Sequence, residues 1–353
     1  MNKKTKIILK LVVLFLFTFL SLYLVFRKDY KDVLTLLKTA SFPFILLAIG
    51  CMLLVFFIDG LILTILVNLF QKKYRLHQGI LNQQYNVFFN GITPLATGGQ
   101  PFQVYLFKKQ GVNIANGIAV VFIYFVLYKA TLLSLSLFAF IYNYPRLNAL
   151  INQAEYDLLF LLIISFCLIA LLSIFIILVA YLPIFKKLFH KIIAFLGKIK
   201  LIKKVEVAQQ NLNDKIILIR HNASHIFSNW KTMVLLLGLM FLRFFILYSI
   251  PFVSFYAVKC PLEGKYFLDT VSLSAYTSLI SGVFPSPGGS IGVEFAYTYL
   301  FKSFFASKIN VADFNATIKS SMLLWRTITF YLGMILGAFV VLIYKPRKKK
   351  EIS

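Results

Sequence analysis

Apolar and polar positions along this chain fall into long blocks, not short alternations. Apolar runs occupy roughly residues 7–26, 43–70, 114–142, 157–182, 232–258 and 318–344. Each is long enough to cross about 30 Å of hydrocarbon as a helix, so the pattern predicts six full spans. Two further segments break the pattern. Asn90 to Lys109 reads NGITPLATGGQPFQVYLFKK, and Ser281 to Lys302 reads SGVFPSPGGSIGVEFAYTYLFK. Both keep the order Gly, Pro, Gly-Gly, then Tyr-Leu-Phe-Lys. Their apolar flanks of about ten residues are too short to cross singly but suit hairpins that dip into protein and return.

One unit therefore occurs twice: span 43–70, hairpin 80–107 and span 114–142, then span 232–258, hairpin 267–302 and span 318–344. Counting Lys and Arg between spans fixes the expected orientation. With each span crossing once and each hairpin returning, 24 basic residues fall on the side of the termini and ten on the other. Both termini are expected inside, the first hairpin opening to the cytoplasm and the second outward. The chain divides accordingly into 1–42 (first span and outer loop), 43–142 (first repeat), 143–231 (connecting span and basic stretch), 232–344 (second repeat) and 345–353 (basic tail). Inverted repeats with Gly/Pro-interrupted segments in matching places are the architecture of alternating-access transporters. The expected fold is an all-α polytopic membrane protein forming one integral membrane domain.

Composition sharpens this picture. The 353 residues are 60% hydrophobic, 17% aromatic and 14% charged, far outside the range of a soluble domain. The net charge of +25 comes from Lys and Arg at the ends of apolar runs, which argues for topology and an anionic inner leaflet as partner and against nucleic acid. Residues 184–231 form a basic stretch with recurring apolar positions, suited to a helix lying on that leaflet. His221 and His225 lie four apart there, but no third ligand stands near, so no metal site is expected. Cys51, Cys167 and Cys260 offer neither a disulfide framework nor a CxxC site. The basic and apolar N-terminus lacks a cleavage pattern and reads as an uncleaved first span.

Candidate chemistry lies at the breaks. Thr93, Pro94, Thr97, Gly98 and Gly99 interrupt the first hairpin, and Pro101 suits the first turn of a new helix carrying Gln100. Pro285, Pro287, Gly288 and Gly289 interrupt the second, with Ser290 as N-cap of a helix carrying Glu294. Backbone breaks at membrane depth survive only beside protein or a wet cavity, and the amides of a helix starting there would face anionic oxygens. Ionisable residues inside spans are functional hypotheses by default. Asp59, Lys129, Arg243 and Arg326 are such residues, and with Glu294 they leave one positive charge in excess. Lys129, Arg243 and Arg326 are candidate phosphate holders, with Asp59 orienting one cation. No GxSxG, HExxH or P-loop pattern occurs, so enzyme chemistry has little support and no cofactor is expected.

At TPLATGGQPFQVYLFKK (Thr93 to Lys109) and FPSPGGSIGVEF (Phe284 to Phe295), the sequence resembles the transmembrane region of lysylphosphatidylglycerol synthase/flippase proteins, the multiple peptide resistance factor family, and their short flippase-like relatives. The likeness extends over roughly residues 5–345. It implies a multi-pass protein of the bacterial cytoplasmic membrane that moves a modified or anionic phospholipid between leaflets, with a role in resistance to cationic peptides. Full-length members also carry a soluble domain that transfers lysine from tRNA to phosphatidylglycerol. This chain reads KPRKKKEIS at its end, so that domain is expected to be absent. Two other readings stay open: a phosphatidylglycerol lysyltransferase, as the family name implies, or a membrane partner subunit of a separate lipid-modifying enzyme. Self-association into a homo-oligomer is a further open expectation.

Overall fold

The computed structural model describes residues 30–93, 98–151, 158–181, 205–282, 290–306 and 314–344, with scattered positions at 190–197 and 308–309. Among the described residues every regular element is helical. The expected first span 7–26, the tail 345–353 and parts of the basic stretch 184–231 lie outside them.

Helix α1 covers Tyr30–Lys38 and α2 covers Phe42–Asn68. Leu76–Gly91 forms α3 and Gly99–Lys109 forms α4. Then come α5 (Ile114–Ile151), α6 (Leu158–Tyr181) and α7 (Val205–Ser228). In the second half, α8 is Trp230–Ala257, α9 Phe267–Ser281 and α10 Ser290–Phe305. The chain continues through α11 (Phe314–Arg326), a π-helical turn at Thr327–Tyr331, and α12 (Leu332–Ile343).

Four stretches are long and apolar enough to cross a membrane: Phe42–Asn68, Ile114–Tyr144, Trp230–Ala257 and Phe314–Ile343. The described apolar part of α6, Leu159–Phe175, is shorter. This is an all-α polytopic membrane protein. Leucine and phenylalanine side chains on the outer faces of α2, α5, α6 and α8, such as Leu47, Phe138, Leu171 and Leu235, are exposed, as a lipid-facing surface requires.

Local sequence explains the helix ends. Pro43 sits in the first turn of α2, where its missing N–H costs nothing. Asn229 caps α8 by accepting from the Thr232 amide at 3.3 Å. Pro251 lies inside α8, where it removes one helical hydrogen bond.

Helices α2 and α8 form the central pair and run antiparallel. The Ser41 amide, just before α2, donates to the Ala257 carbonyl at the end of α8 (2.7 Å), while Asp59 meets Arg243 farther along both helices. The first hairpin, α3 and α4, starts at the C-terminal end of α2 and returns there. Gln110, just past α4, donates to the Gln78 carbonyl at 3.0 Å and accepts from the Tyr74 hydroxyl at 2.6 Å, both at the start of α3. The second hairpin, α9 and α10, likewise returns to the C-terminal end of α8, where Phe305 packs on Tyr266 and Phe255. Because α2 and α8 are antiparallel, the two hairpins open toward opposite ends of the bundle. At 1.5 Å per residue, α3 and α4 reach only about 24 and 16 Å, less than the hydrocarbon thickness.

The second span of each unit packs on the hairpin of the other: α12 against α3, and α5 against α9. Close approach of α3 to its neighbours depends on glycine. A Cβ on Gly79 would collide with Gly60 and Thr64 of α2, and one on Gly337 of α12 would lie 2.7 Å from the Gln84 carbonyl oxygen. Small residues that let backbones approach are the usual means of packing helices where lipid supplies no hydrophobic drive.

Candidate functional site: a polar cavity at the first hairpin

The α3 sequence LHQGILNQQYNVFFNG carries six side-chain amides in sixteen residues. Asn82, Gln83 and Gln84 are buried, and Gln103 of α4 is 1% exposed. Buried amides need partners; Asn82, Gln83 and Gln103 find them across the hairpin or on α2, while Gln84 Oε1 is buried without one. Gln103 Nε2 donates to Gln83 Oε1 at 3.1 Å, and Gln83 Nε2 donates to Asp59 Oδ2 at 3.3 Å. Asn82 Nδ2 donates to the Gln103 carbonyl at 3.2 Å.

Asp59 is the hub. Its carboxylate accepts from the Tyr124 hydroxyl of α5 at 2.5 Å and from Arg243 Nε of α8 at 3.1 Å, with further Arg243 contacts at 3.4 Å. Five helices are thus joined at one buried charge: α4 and α3 through the glutamines, α2 through Asp59, α5 through Tyr124 and α8 through Arg243. A charge at this depth persists only when paired and hydrogen-bonded. The expectation that Asp59 orients a cation resolves to Arg243, 184 positions away in sequence.

A cavity of about 410 Å³ opens beside this hub. Its wall includes Gln83, Asn86, Asn90, Gln100 and Gln103 on the hairpin, Tyr124, Tyr128 and Lys129 on α5, Arg243 on α8, and Phe330 in the π-turn. Of the residues expected from sequence, it brings together Gln100, Lys129 and Arg243. Lys129 Nζ lies 5.8 Å from the ring centres of Phe125 and Tyr128, and no described carboxylate pairs with it. Pairing Asp59 with Arg243 leaves Lys129 as the cavity's net positive charge.

The first hairpin's break departs from expectation. The Gly98 and Gly99 amides of this break do not point outward for an anion. The Gly98 N–H donates to Thr93 Oγ1 at 2.9 Å and the Gly99 N–H to Asn90 Oδ1 at 2.7 Å. Thr93 and Asn90, at the end of α3, thereby cap α4 from within, and Pro101 has no N–H to offer. A Cβ on Gly99 would collide with Asn86 and Asn90, so the cap requires glycine there. The rings of Phe89 and Phe102 stack at 3.4 Å and clamp the two arms. The cavity's polar character therefore comes from side-chain amides and Lys129. Sequence reasoning passed over Gln83, Asn86, Asn90, Gln103 and Tyr124, although a run of six amides between apolar spans was a visible signal.

Arg326 and Glu294 lie apart from the cavity wall. Arg326 Nε is 3.9 Å from Glu294 Oε1, an ion pair joining α11 to α10, and both side chains are buried. Arg326 reaches the cavity indirectly, through the Phe330 ring 4.1 Å from its guanidinium carbon. The π-turn starting at Thr327 adds a residue per turn at this point; such turns recur at functional sites. Pro94, Thr97, Pro285, Pro287, Gly288 and Gly289 lie outside the described residues, as does the side chain of Ser290, which begins α10.

Comparison with known proteins gives a family match. No curated protein and no solved structure matches the chain. The family described as Lysylphosphatidylglycerol synthase TM region matches over residues 7–337, which include every helix from α1 to α11 and both hairpins. The chain belongs to the lysylphosphatidylglycerol synthase transmembrane-region family.

Proposed function

We propose that this protein is a lipid transporter of the flippase type that moves a phospholipid with an anionic or modified head group between leaflets. The observation that carries this reading is the cavity beside Lys129, whose wall is polar and bears one excess positive charge within a bundle of apolar helices. A head group would enter the cavity while its acyl chains stay in the bilayer. Lys129 and the Arg243 edge would hold the phosphate, and Gln100 and Asn86 would bond its substituent.

The antiparallel α2–α8 pair, with a hairpin opening at each end, supports alternating access by rocking of the two halves. The hub at Asp59 would then be the joint across which the halves move. Glu294, Arg326 and Phe330 would transmit movement of the second hairpin to the cavity wall. Gly98, Gly99 and Thr93 would fix the rim, and the second break at Pro285, Pro287, Gly288, Gly289 and Ser290 would line the path from the other side.

The test is leaflet exchange in liposomes holding the purified chain, read by dithionite bleaching of acyl-labelled phospholipid. Exchange well above protein-free liposomes, lost in Arg243→Met, is expected. Exchange equal to protein-free liposomes, with a folded chain, refutes the proposal.

A further inference from the structure

The charges on the cavity wall bear on which head group it would accept. Its cationic groups are Lys129 and Arg243, and Arg243 is compensated by Asp59. No described wall residue is acidic. Asp59 is 1% exposed, and both its oxygens are engaged by Arg243, Tyr124 and Gln83.

An ammonium group can also be held by aromatic faces instead of carboxylates. Here the protein's own cations lie over those faces. Lys129 lies by Phe125 and Tyr128, Arg243 lies 5.4 Å from the Tyr128 ring centre, and Arg326 lies over Phe330. The Tyr124 hydroxyl is spent on Asp59.

What remains for a ligand is one uncompensated ammonium, at Lys129, and amide groups. Gln100 makes no hydrogen bond among the described residues, and the Asn86 amide uses only its oxygen, toward Asn90. Arg243 Nη1 is also buried without a partner. Ammonium and guanidinium donors suit phosphate, and amides that both donate and accept suit hydroxyls. At about 30 Å³ per water, the cavity has the volume of roughly a dozen waters, ample for a phosphoglycerol or a sugar phosphate.

Building on the transport reading, we propose that the head group taken by this cavity is an anionic phosphate with a hydroxylated substituent, of the phosphoglycerol or sugar-phosphate class. The lysyl ester in the family's name brings two ammonium groups and a net positive charge, which would face Lys129 with no carboxylate among the described wall residues to receive them. Discrimination arises from this repulsion as much as from attraction to phosphate.

The experiment compares acyl-labelled phosphatidylglycerol, phosphatidic acid and lysylphosphatidylglycerol in liposomes holding the full chain. Phosphatidylglycerol is expected to exchange at least about tenfold faster than the lysyl lipid, and faster than phosphatidic acid, which lacks the hydroxylated group. Lys129→Gln is expected to reduce the preference over the lysyl lipid severalfold, and Lys129→Glu to reverse it. Lysylphosphatidylglycerol exchanging as fast as phosphatidylglycerol overturns the charge assignment while leaving transport standing. Phosphatidic acid matching phosphatidylglycerol overturns the hydroxyl assignment. Exchange of none of the three by a folded chain overturns transport and this assignment together.

Discussion

Replacing Asp59 by asparagine keeps the side-chain volume and removes one charge from the hub. At the 3.1 Å separation from Arg243 Nε, an effective dielectric near 20 gives an attraction of about 5 kcal/mol. Desolvation of the two ions offsets much of it in the intact pair, so the pair's net contribution is small. Removing one partner is different, because Arg243 then remains buried and uncompensated, at a cost of about 3–5 kcal/mol. Arg243→Met leaves Asp59 with only Tyr124 and Gln83 as donors, and a similar loss is expected. The double variant Asp59→Asn/Arg243→Met removes both charges and should recover most of the loss, ending within about 1–2 kcal/mol of the wild type. Unfolding in mixed micelles titrated with dodecyl sulfate, followed by helix content, measures all four corners of the cycle. Losses that simply add in the double variant would show that the two charges do not depend on each other, and the hub would be a misreading.

Other predictions follow the same geometry. Gly79→Leu forces a side chain into Gly60 and Thr64 and should sharply lower the folded yield, whereas Gly238→Ala, with nothing within 4 Å of the added carbon, should fold normally; size-exclusion profiles in detergent distinguish them. Asn90→Ala removes the acceptor for the Gly99 amide at a cost of about 1 kcal/mol, while Asn90→Asp keeps it, so hydrogen exchange at the start of α4 should rise in the first and stay slow in the second. Phe330→Leu keeps bulk but loses the ring beneath Arg326, worth about 0.5–2 kcal/mol. Leaflet exchange should fall in that variant, while the dodecyl sulfate midpoint drops by no more than this loss accounts for.

Much of the fold was legible because hydrocarbon imposes a simple rule: runs of about twenty apolar residues become spans, and Gly/Pro breaks within shorter runs become hairpins. The segments 43–70, 114–142, 232–258 and 318–344 correspond to the four membrane-length stretches, and the breaks before Gly99 and Ser290 fall between helices. Buried charge was legible too, since Asp59, Lys129, Arg243 and Arg326 stand out against apolar neighbours. Their pairing was not, because Asp59 and Arg243 meet only once α2 and α8 pack. The capping of α4 was hidden for a different reason: the acceptors Thr93 and Asn90 come from the end of the preceding helix, and an asparagine on an apolar arm signals no direction. The π-turn after Arg326 has no sequence mark at all, since any residue can form it.

The central requirement is a wet pocket at membrane depth beside Lys129. In a chain with Cys51, Cys167 and Cys260 replaced by alanine or serine, cysteines at Gln100 and Lys129 can be offered to a charged, membrane-impermeant thiosulfonate in open membrane sheets. Both positions should react readily, and phosphatidylglycerol added in short-chain form should slow the reaction at position 100, where Lys129 is still present to hold its phosphate. Failure of both to react, alongside normal labelling of a loop position such as Lys265, would mean that the space is dry and that no head group passes through it.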